Sequence, residues 1–262
     1  MYNLSLVYPL QGASADLASL ATSSGPTSFL GYTSLQADAT VLALIDPSTG
    51  SKLDQAPVGS RFDLVLDQTP FYAESGGQVA DRGLLFILSS STPGSTTTSP
   101  SVAIEVGAVR KAAGGSIFVH AAQIVPHPES VASEGGEGRL TLRVGDKVSA
   151  RVDAGLRRRS AAHHTATHLL QSALKQVLGP DVCQQGSLVG FDRLRFDFNL
   201  NRGMTQEEVA EVERLVNVWV NEATPLTTKV MGLKEAKEAG ATAMFGEKYD
   251  DVVRVVDVPG VR

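Results

Sequence analysis

The chain has 262 residues, 42% of them hydrophobic and 19% charged, which is the balance of a globular protein with room for one large or two ordinary domains and excludes a disordered chain. Lys and Arg number 23 against 28 Asp and Glu, for a formal net charge of −5, so nucleic-acid binding would need a local basic patch rather than overall charge. One cysteine, Cys183, excludes an internal disulfide and fits a reducing compartment; no apolar run approaches the roughly 18 residues of a membrane span, and the first residues lack the basic and apolar regions of a secretory signal.

Residues 1–25 read as an N-terminal tail or the end of a preceding domain. From Gly31 to about Asp153, short apolar stretches alternate with Gly, Pro, Asp and Ser: Ala39–Ile45, Arg61–Leu66, Gly83–Leu88, Val102–Val109, Ser116–His120, Arg139–Val144 and Lys147–Val152. Strands at that spacing predict a small β-barrel or sandwich over residues 26–154. Two polar stretches, Ser89–Ser101 and His127–Gly138, interrupt it and read as flexible loops. His120 and His127 read as ordinary surface residues.

Within this half, Glu74-Ser75-Gly76-Gly77-Gln78 has two adjacent glycines, which permit positive φ and a close backbone approach. A loop laid over a ligand and a tight hairpin turn with no ligand both fit. Asp153-Ala154-Gly155 reads as a hinge into the second half of the chain. Arg157, Arg158 and Arg159, with Arg151 nearby, form the one dense basic cluster, either a solvated helix start or a contact for phosphates.

Ser160 opens an amphipathic helix that runs to Gly179-Pro180, with Leu170, Ala173, Leu174 and Val177 on one face. His164 and His168 stand four apart on an adjacent face. A helix holds such a pair close enough to share a zinc ion, but the same spacing also occurs on polar faces that bind nothing. Thr165 follows His164 where a metalloprotease helix would carry its glutamate, so that chemistry is excluded. His163, rotated by about 100°, is expected to face solvent or a phosphate.

Beyond the helix, Cys183 reads as a small, partly buried residue. Gly186–Val189 and Leu194–Phe198 look like strands. Thr205 and Glu208 form a capping box ahead of a helix with Val209, Val212, Val216, Trp219 and Val220 on one face, which makes Trp219 a core residue. A shorter helix around Leu233–Ala239 and a strand at Val252–Val258 complete an α+β pattern over residues 155–262.

Five blocks, Thr69–Gln78, His164–Leu170, Gln185–Val189, Leu194–Phe198 and Phe245–Tyr249, are similar in sequence and order to the alanyl-tRNA synthetase family, specifically its editing region. A related histidine helix occurs in threonyl-tRNA synthetase editing domains, but the Thr69–Gln78 block resembles the alanyl branch. The resemblance implies an α+β protein: a translation-factor-like β-barrel followed by an aminoacyl-tRNA editing domain. It implies zinc-dependent hydrolysis of seryl- or glycyl-tRNA(Ala), with ATP used only by the full-length ligase, in the cytoplasm or an organelle.

By the same resemblance, His164 and His168 would hold zinc together with a later Cys-x-x-x-His segment. The chain reaches Arg262 before such a segment, so the expectation is a piece of a longer ligase, with half of its zinc site and with the aminoacylation and C-terminal modules as missing partners. Thr167, Gln184 and Ser187 match positions lining the editing pocket, although Thr167 alone would read as a helix hydroxyl bonded to its own i−4 carbonyl. Glu74, Gly76, Gly77 and Gln78, with Arg157, Arg158 and Arg159, are expected to meet substrate or the tRNA acceptor end. A free-standing editing protein and a tRNA-binding module without activity are the alternatives.

Overall fold

The computed structural model describes residues 15–88, 102–126, 141–241 and 251–258. Both polar insertions, His127, the Phe245–Tyr249 block and the first 14 residues fall outside them. The chain divides into two compact units, one of Met1–Ser75 with Val79–Arg157, the other of Gly76–Gln78 with Arg158–Arg262.

In the first unit, α1 (Ala15–Ser24) precedes, besides several shorter strands, six long ones, β1 (Gln36–Ile45), β2 (Arg61–Leu66), β3 (Gly83–Ile87), β4 (Val102–Ala112), β5 (Ile117–Pro126) and β6 (Lys147–Val152). They run antiparallel in the order β6-β3-β4-β5-β2-β1, and β1 pairs back onto β6 to close a barrel. Closure leaves none of the six as an open edge. The period-2 pleat explains the burial on β6: Val148, Ala150 and Val152 point inward, while Lys147 and Arg151 are exposed.

Phe62, Leu64, Leu66, Leu85, Ile104, Ile124 and Val148 share the barrel core. The opposite faces of β1, β2 and β5 are also covered, because Leu17 of α1 packs with Ala43, Ile45, Val65, Ile117 and Val119. That helix lies in the stretch read as a tail or the end of a preceding domain. Its apolar positions, Leu17, Leu20 and Ala21, fall at spacings of three and four, and that face is what covers the sheet.

His120 corrects the surface expectation. It is fully buried, opposite Leu64 in the β2–β5 ladder. Its Nδ1 donates to the Leu64 carbonyl at 3.1 Å, and its Nε2 accepts from the Thr69 hydroxyl at 2.8 Å. The Thr69 oxygen in turn accepts from the Phe71 amide at 3.2 Å. Burial pushes the His120 pKa down to about 4, so the ring is neutral.

The second unit carries most of α2 (Ala154–Leu178), then β7 (Gln184–Val189), β8 (Leu194–Phe198), α3 (Gln206–Glu222), β9 (Thr227–Gly232), α4 (Leu233–Glu238) and β10 (Val252–Asp257). Strands β7 and β8 form one antiparallel hairpin, and β9 and β10 another. Ala173, Leu174, Val182 and Val212 are its buried core, with Leu170, Val177, Phe196, Phe198, Val216 and Trp219 packed against them. Trp219 is thus a core residue.

The Thr205–Glu208 capping box is formed in both directions. Val209 and Val220, expected on the buried face of α3, are about half exposed instead (46% and 54%). Leu215 takes a place in the core that the sequence pattern did not assign to it. Strand β9, which begins two residues after Pro225, was not anticipated; its Val230 is largely exposed, so burial left no alternation to read. Among the described residues, no helix is long and apolar enough to cross a membrane.

Candidate functional site

Helix α2 starts six residues earlier than its apolar period suggested. The Asp153 carboxylate accepts from the Leu156 amide at 2.9 Å, and the Asp153 carbonyl accepts from the Arg157 amide, so the expected hinge is a capped helix start. The three arginines therefore lie inside the helix, where arginine is a good helix former.

That geometry separates them. Arg157 turns into the first unit, where its guanidinium pairs with the Asp81 carboxylate and donates to the carbonyls of Gly31 at 2.8 Å and Pro70 at 2.9 Å. Asp81 also accepts from the Tyr72 amide at 2.7 Å, so the ion pair closes the base of the loop between these two residues. Of the three arginines expected to meet tRNA, Arg157 is thus engaged by the fold itself. Arg158 and Arg159 are exposed, while Arg151 lies 4.9 Å over the Phe86 ring.

One turn apart on α2, the rings of His164 and His168 have centroids 5.1 Å apart. Burial lowers the pKa of both, and for His168 the neighbouring His164 adds to the effect. His164 Nδ1 lies 2.7 Å from the Gln78 amide oxygen. An amide oxygen only accepts, so Nδ1 carries the ring proton and Nε2 keeps its lone pair. His163 does not reach for solvent or phosphate; its Nδ1 lies 2.7 Å from the Gly190 carbonyl and donates to it.

Residues 76–78 belong to this second unit because they dock on β7. The Gly77 carbonyl accepts from the Val189 amide at 2.8 Å, and Gln78 makes a parallel bridge with Val189. Gly76 and Gly77 both have positive φ, 59° and 75°. A Cβ on Gly77 would stand 2.6 Å from the Ser187 carbonyl oxygen, so the close approach inferred for these glycines is to the protein's own backbone. Glu74 is exposed in the first unit, and its amide donates to the Val109 carbonyl at 2.9 Å.

The three residues expected to line a pocket differ in their bonding. Thr167 is buried, and its hydroxyl donates to the His163 carbonyl at 2.8 Å, the i−4 arrangement; its oxygen retains lone pairs. Gln184 Oε1 and Ser187 Oγ are buried with no hydrogen-bond partner among the described residues. A buried polar atom without a partner costs about 1–3 kcal/mol. Gln184 also sits at a register shift between β7 and β8, which re-aims a side chain.

Two neutral imidazoles one turn apart, with His164 Nε2 keeping its lone pair, fit the nitrogen ligands that zinc takes. Among the described residues, no group of three or more His, Cys, Asp and Glu is gathered around them. Cys183 is exposed rather than partly buried. Asp81 and Gly190, which hold Arg157 and His163, had no motif or spacing in the sequence to mark them.

A family model for class II tRNA synthetases (A) matches residues 10–155. An alanine–tRNA ligase, chloroplastic/mitochondrial, of Ostreococcus lucimarinus is 48% identical over 236 residues, 90% of this chain and 23% of that protein. The corresponding ligase of Oryza sativa subsp. indica is 49% identical over 235 residues, 90% of this chain and 22% of its own length. The alanine–tRNA ligase of Acaryochloris marina is 47% identical over 245 residues, 94% and 25% respectively. The chain therefore spans about a quarter of the length of these relatives.

Proposed function

The chain belongs to the alanyl-tRNA synthetase family, and from that membership we propose that its second unit is an editing site that hydrolyses seryl- or glycyl-tRNA(Ala). The whole protein would ligate alanine to tRNA with ATP, and a pocket sized for alanine needs such a second sieve. It cannot exclude glycine by size, and it rejects the added hydroxyl of serine only weakly. The chloroplastic/mitochondrial relatives support an organellar setting.

One observation carries this reading. Two buried acceptors without a partner among the described residues, Gln184 Oε1 and Ser187 Oγ, lie on the strand that residues 77–78 join to His164. Within that site, Thr167 already donates its proton to His163, so its oxygen is left to accept the hydroxyl of a seryl group. Alanine offers no such donor, and the site's polar atoms would stay unpaired against it. Hydrolysis adds water across the aminoacyl ester: the carbonyl carbon gains the new oxygen, and the ribose hydroxyl of the tRNA leaves with a proton.

His164 and His168 would hold a zinc ion, which when bound supplies Lewis acidity and orients polar groups. Their burial keeps both rings neutral, the form a metal needs. Arg158 and Arg159, exposed at the start of α2, would contact phosphates of the tRNA acceptor end. A second reading, tRNA binding without hydrolysis, is favoured by the two histidines having no third ligand gathered with them among the described residues.

Deacylation of seryl-tRNA(Ala) by the chain, with and without added zinc, separates the two readings. Under the first, Thr167→Val lowers the ratio of seryl to alanyl deacylation while zinc content stays constant. An unchanged ratio removes Thr167 from the pocket.

A further inference from the structure

We propose that Gly77 and Gln78 are positioning residues for the His164 imidazole rather than contacts for tRNA. The Gly77 backbone docks this segment on β7, and the Gln78 amide oxygen keeps the ring proton on Nδ1, leaving Nε2 as the lone-pair nitrogen. Left in water, a neutral imidazole favours the opposite tautomer, with the proton on Nε2. The tautomer is set by whichever nitrogen is given a partner, and here that partner is Gln78 Oε1 at 2.7 Å from Nδ1.

Gln78 is only 8% exposed, so water competes poorly for either end of that bond. Three constraints hold the segment where the bond requires it. Gly77 occupies a positive φ of 75°. A Cβ there would meet the Ser187 carbonyl oxygen at 2.6 Å, and a carbonyl within a strand cannot swing aside as a flexible side chain does. The Val189 amide donates to the Gly77 carbonyl at 2.8 Å. Alanine at Gly77 would therefore push the segment off β7 and carry the Gln78 amide out of reach of His164.

The purpose of this arrangement rests on the proposed use of His164 as a metal ligand, whereas its geometry does not. A ligating histidine commonly has its second nitrogen held by an outer partner, and loss of that partner typically weakens metal affinity about 10–100-fold. Thr69 and Leu64 do the corresponding work on both nitrogens of His120, where the one lone pair is already engaged by Thr69.

The test uses the chain labelled with 15N-histidine and freed of metal, together with Gln78→Leu, Gln78→Glu and Gly77→Ala. The expected result is a His164 protonated at Nδ1 in the unmodified chain and in Gln78→Glu, which keeps an acceptor, and a shift toward Nε2–H in Gln78→Leu and Gly77→Ala. Competition with a chromophoric chelator should show Zn2+ affinity falling about 10–100-fold in Gln78→Leu and far less in Gln78→Glu. A His164 protonated at Nε2 in the unmodified chain overturns the proposal, even if every variant fails to fold. So does a Gln78→Leu protein with unaltered tautomer and Zn2+ affinity. If tautomer and affinity respond but seryl-tRNA is not hydrolysed, positioning stands and the editing reading falls; hydrolysis with an unresponsive tautomer has the reverse meaning.

Discussion

In the barrel, His120 has both ring nitrogens bonded to protein and lies at the centre of a closed network with Thr69, Leu64 and the Phe71 amide. His164, in the second unit, has Nδ1 fixed by Gln78 and Nε2 left as a lone pair. Their neighbours divide in the same way. Both buried side-chain atoms without a partner among the described residues, Gln184 Oε1 and Ser187 Oγ, belong to the second unit. Satisfied buried polar groups stabilise a fold, whereas unsatisfied ones cost stability and persist where a ligand would complete them. Among the described residues, the cost of unpartnered buried atoms therefore falls on the second unit and not on the barrel.

The largest test of that contrast is Arg157→Ala. Removing the guanidinium would leave the buried Asp81 carboxylate unpaired and two carbonyls without donors, so unfolding free energy should fall by about 3–5 kcal/mol. Urea denaturation measures it, and a loss below about 1 kcal/mol would return Arg157 to the surface-charge class.

Acid should act next most strongly, through His120. Because its folded pKa is depressed from 6.5 to about 4, the unfolded chain binds the extra proton between those values. Stability is therefore complete above about pH 6.5, is lost as pH falls toward about 4, and is flat below, a total of roughly 3 kcal/mol. His120→Leu should remove this component of the pH profile even though the protein is less stable at neutral pH. An unaltered slope would assign the acid sensitivity to other groups.

Ser187→Ala should have a smaller effect of opposite sign, gaining roughly 1–3 kcal/mol because it deletes an unpartnered buried oxygen. If Ser187 faces substrate, the same variant discriminates less well between seryl- and alanyl-tRNA. A destabilised protein would mean that the hydroxyl has a partner after all. Replacing Arg158 and Arg159 together by alanine should change stability by less than about 0.5 kcal/mol. If each contacts a phosphate, the log–log salt slope of tRNA binding should fall by about 0.9 per arginine. Arg157→Ala, by contrast, should alter stability and not that slope, provided binding is measured where the variant is folded.

Much of this architecture is legible in residue patterns. The barrel strands show as apolar runs between turn residues, Thr205 and Glu208 declare the start of α3, and Leu170, Ala173, Leu174 and Val177 mark the buried face of α2. These features depend on neighbours within a few positions of one another. The same spacing puts His164 and His168 side by side, since a helix alone brings residues four apart together. For His120 and Arg157 the deciding partner lies far away in sequence. Nothing near His120 in the sequence reveals that Leu64 and Thr69 will enclose it, and nothing near Arg157 points to Asp81.

The sequence by itself determined most of the element types, α1 and β9 excepted, the helical histidine pair and, through its blocks, the family. Tertiary structure alone decided which of three consecutive arginines is buried, which histidine is closed off and which keeps a lone pair. It also decided that Gly77 meets a protein carbonyl. The physical reason is that local conformation is set by dihedral preference and periodicity, which neighbouring residues share. Hydrogen-bond satisfaction is set by groups tens of residues apart, brought together only when the barrel closes or a strand docks.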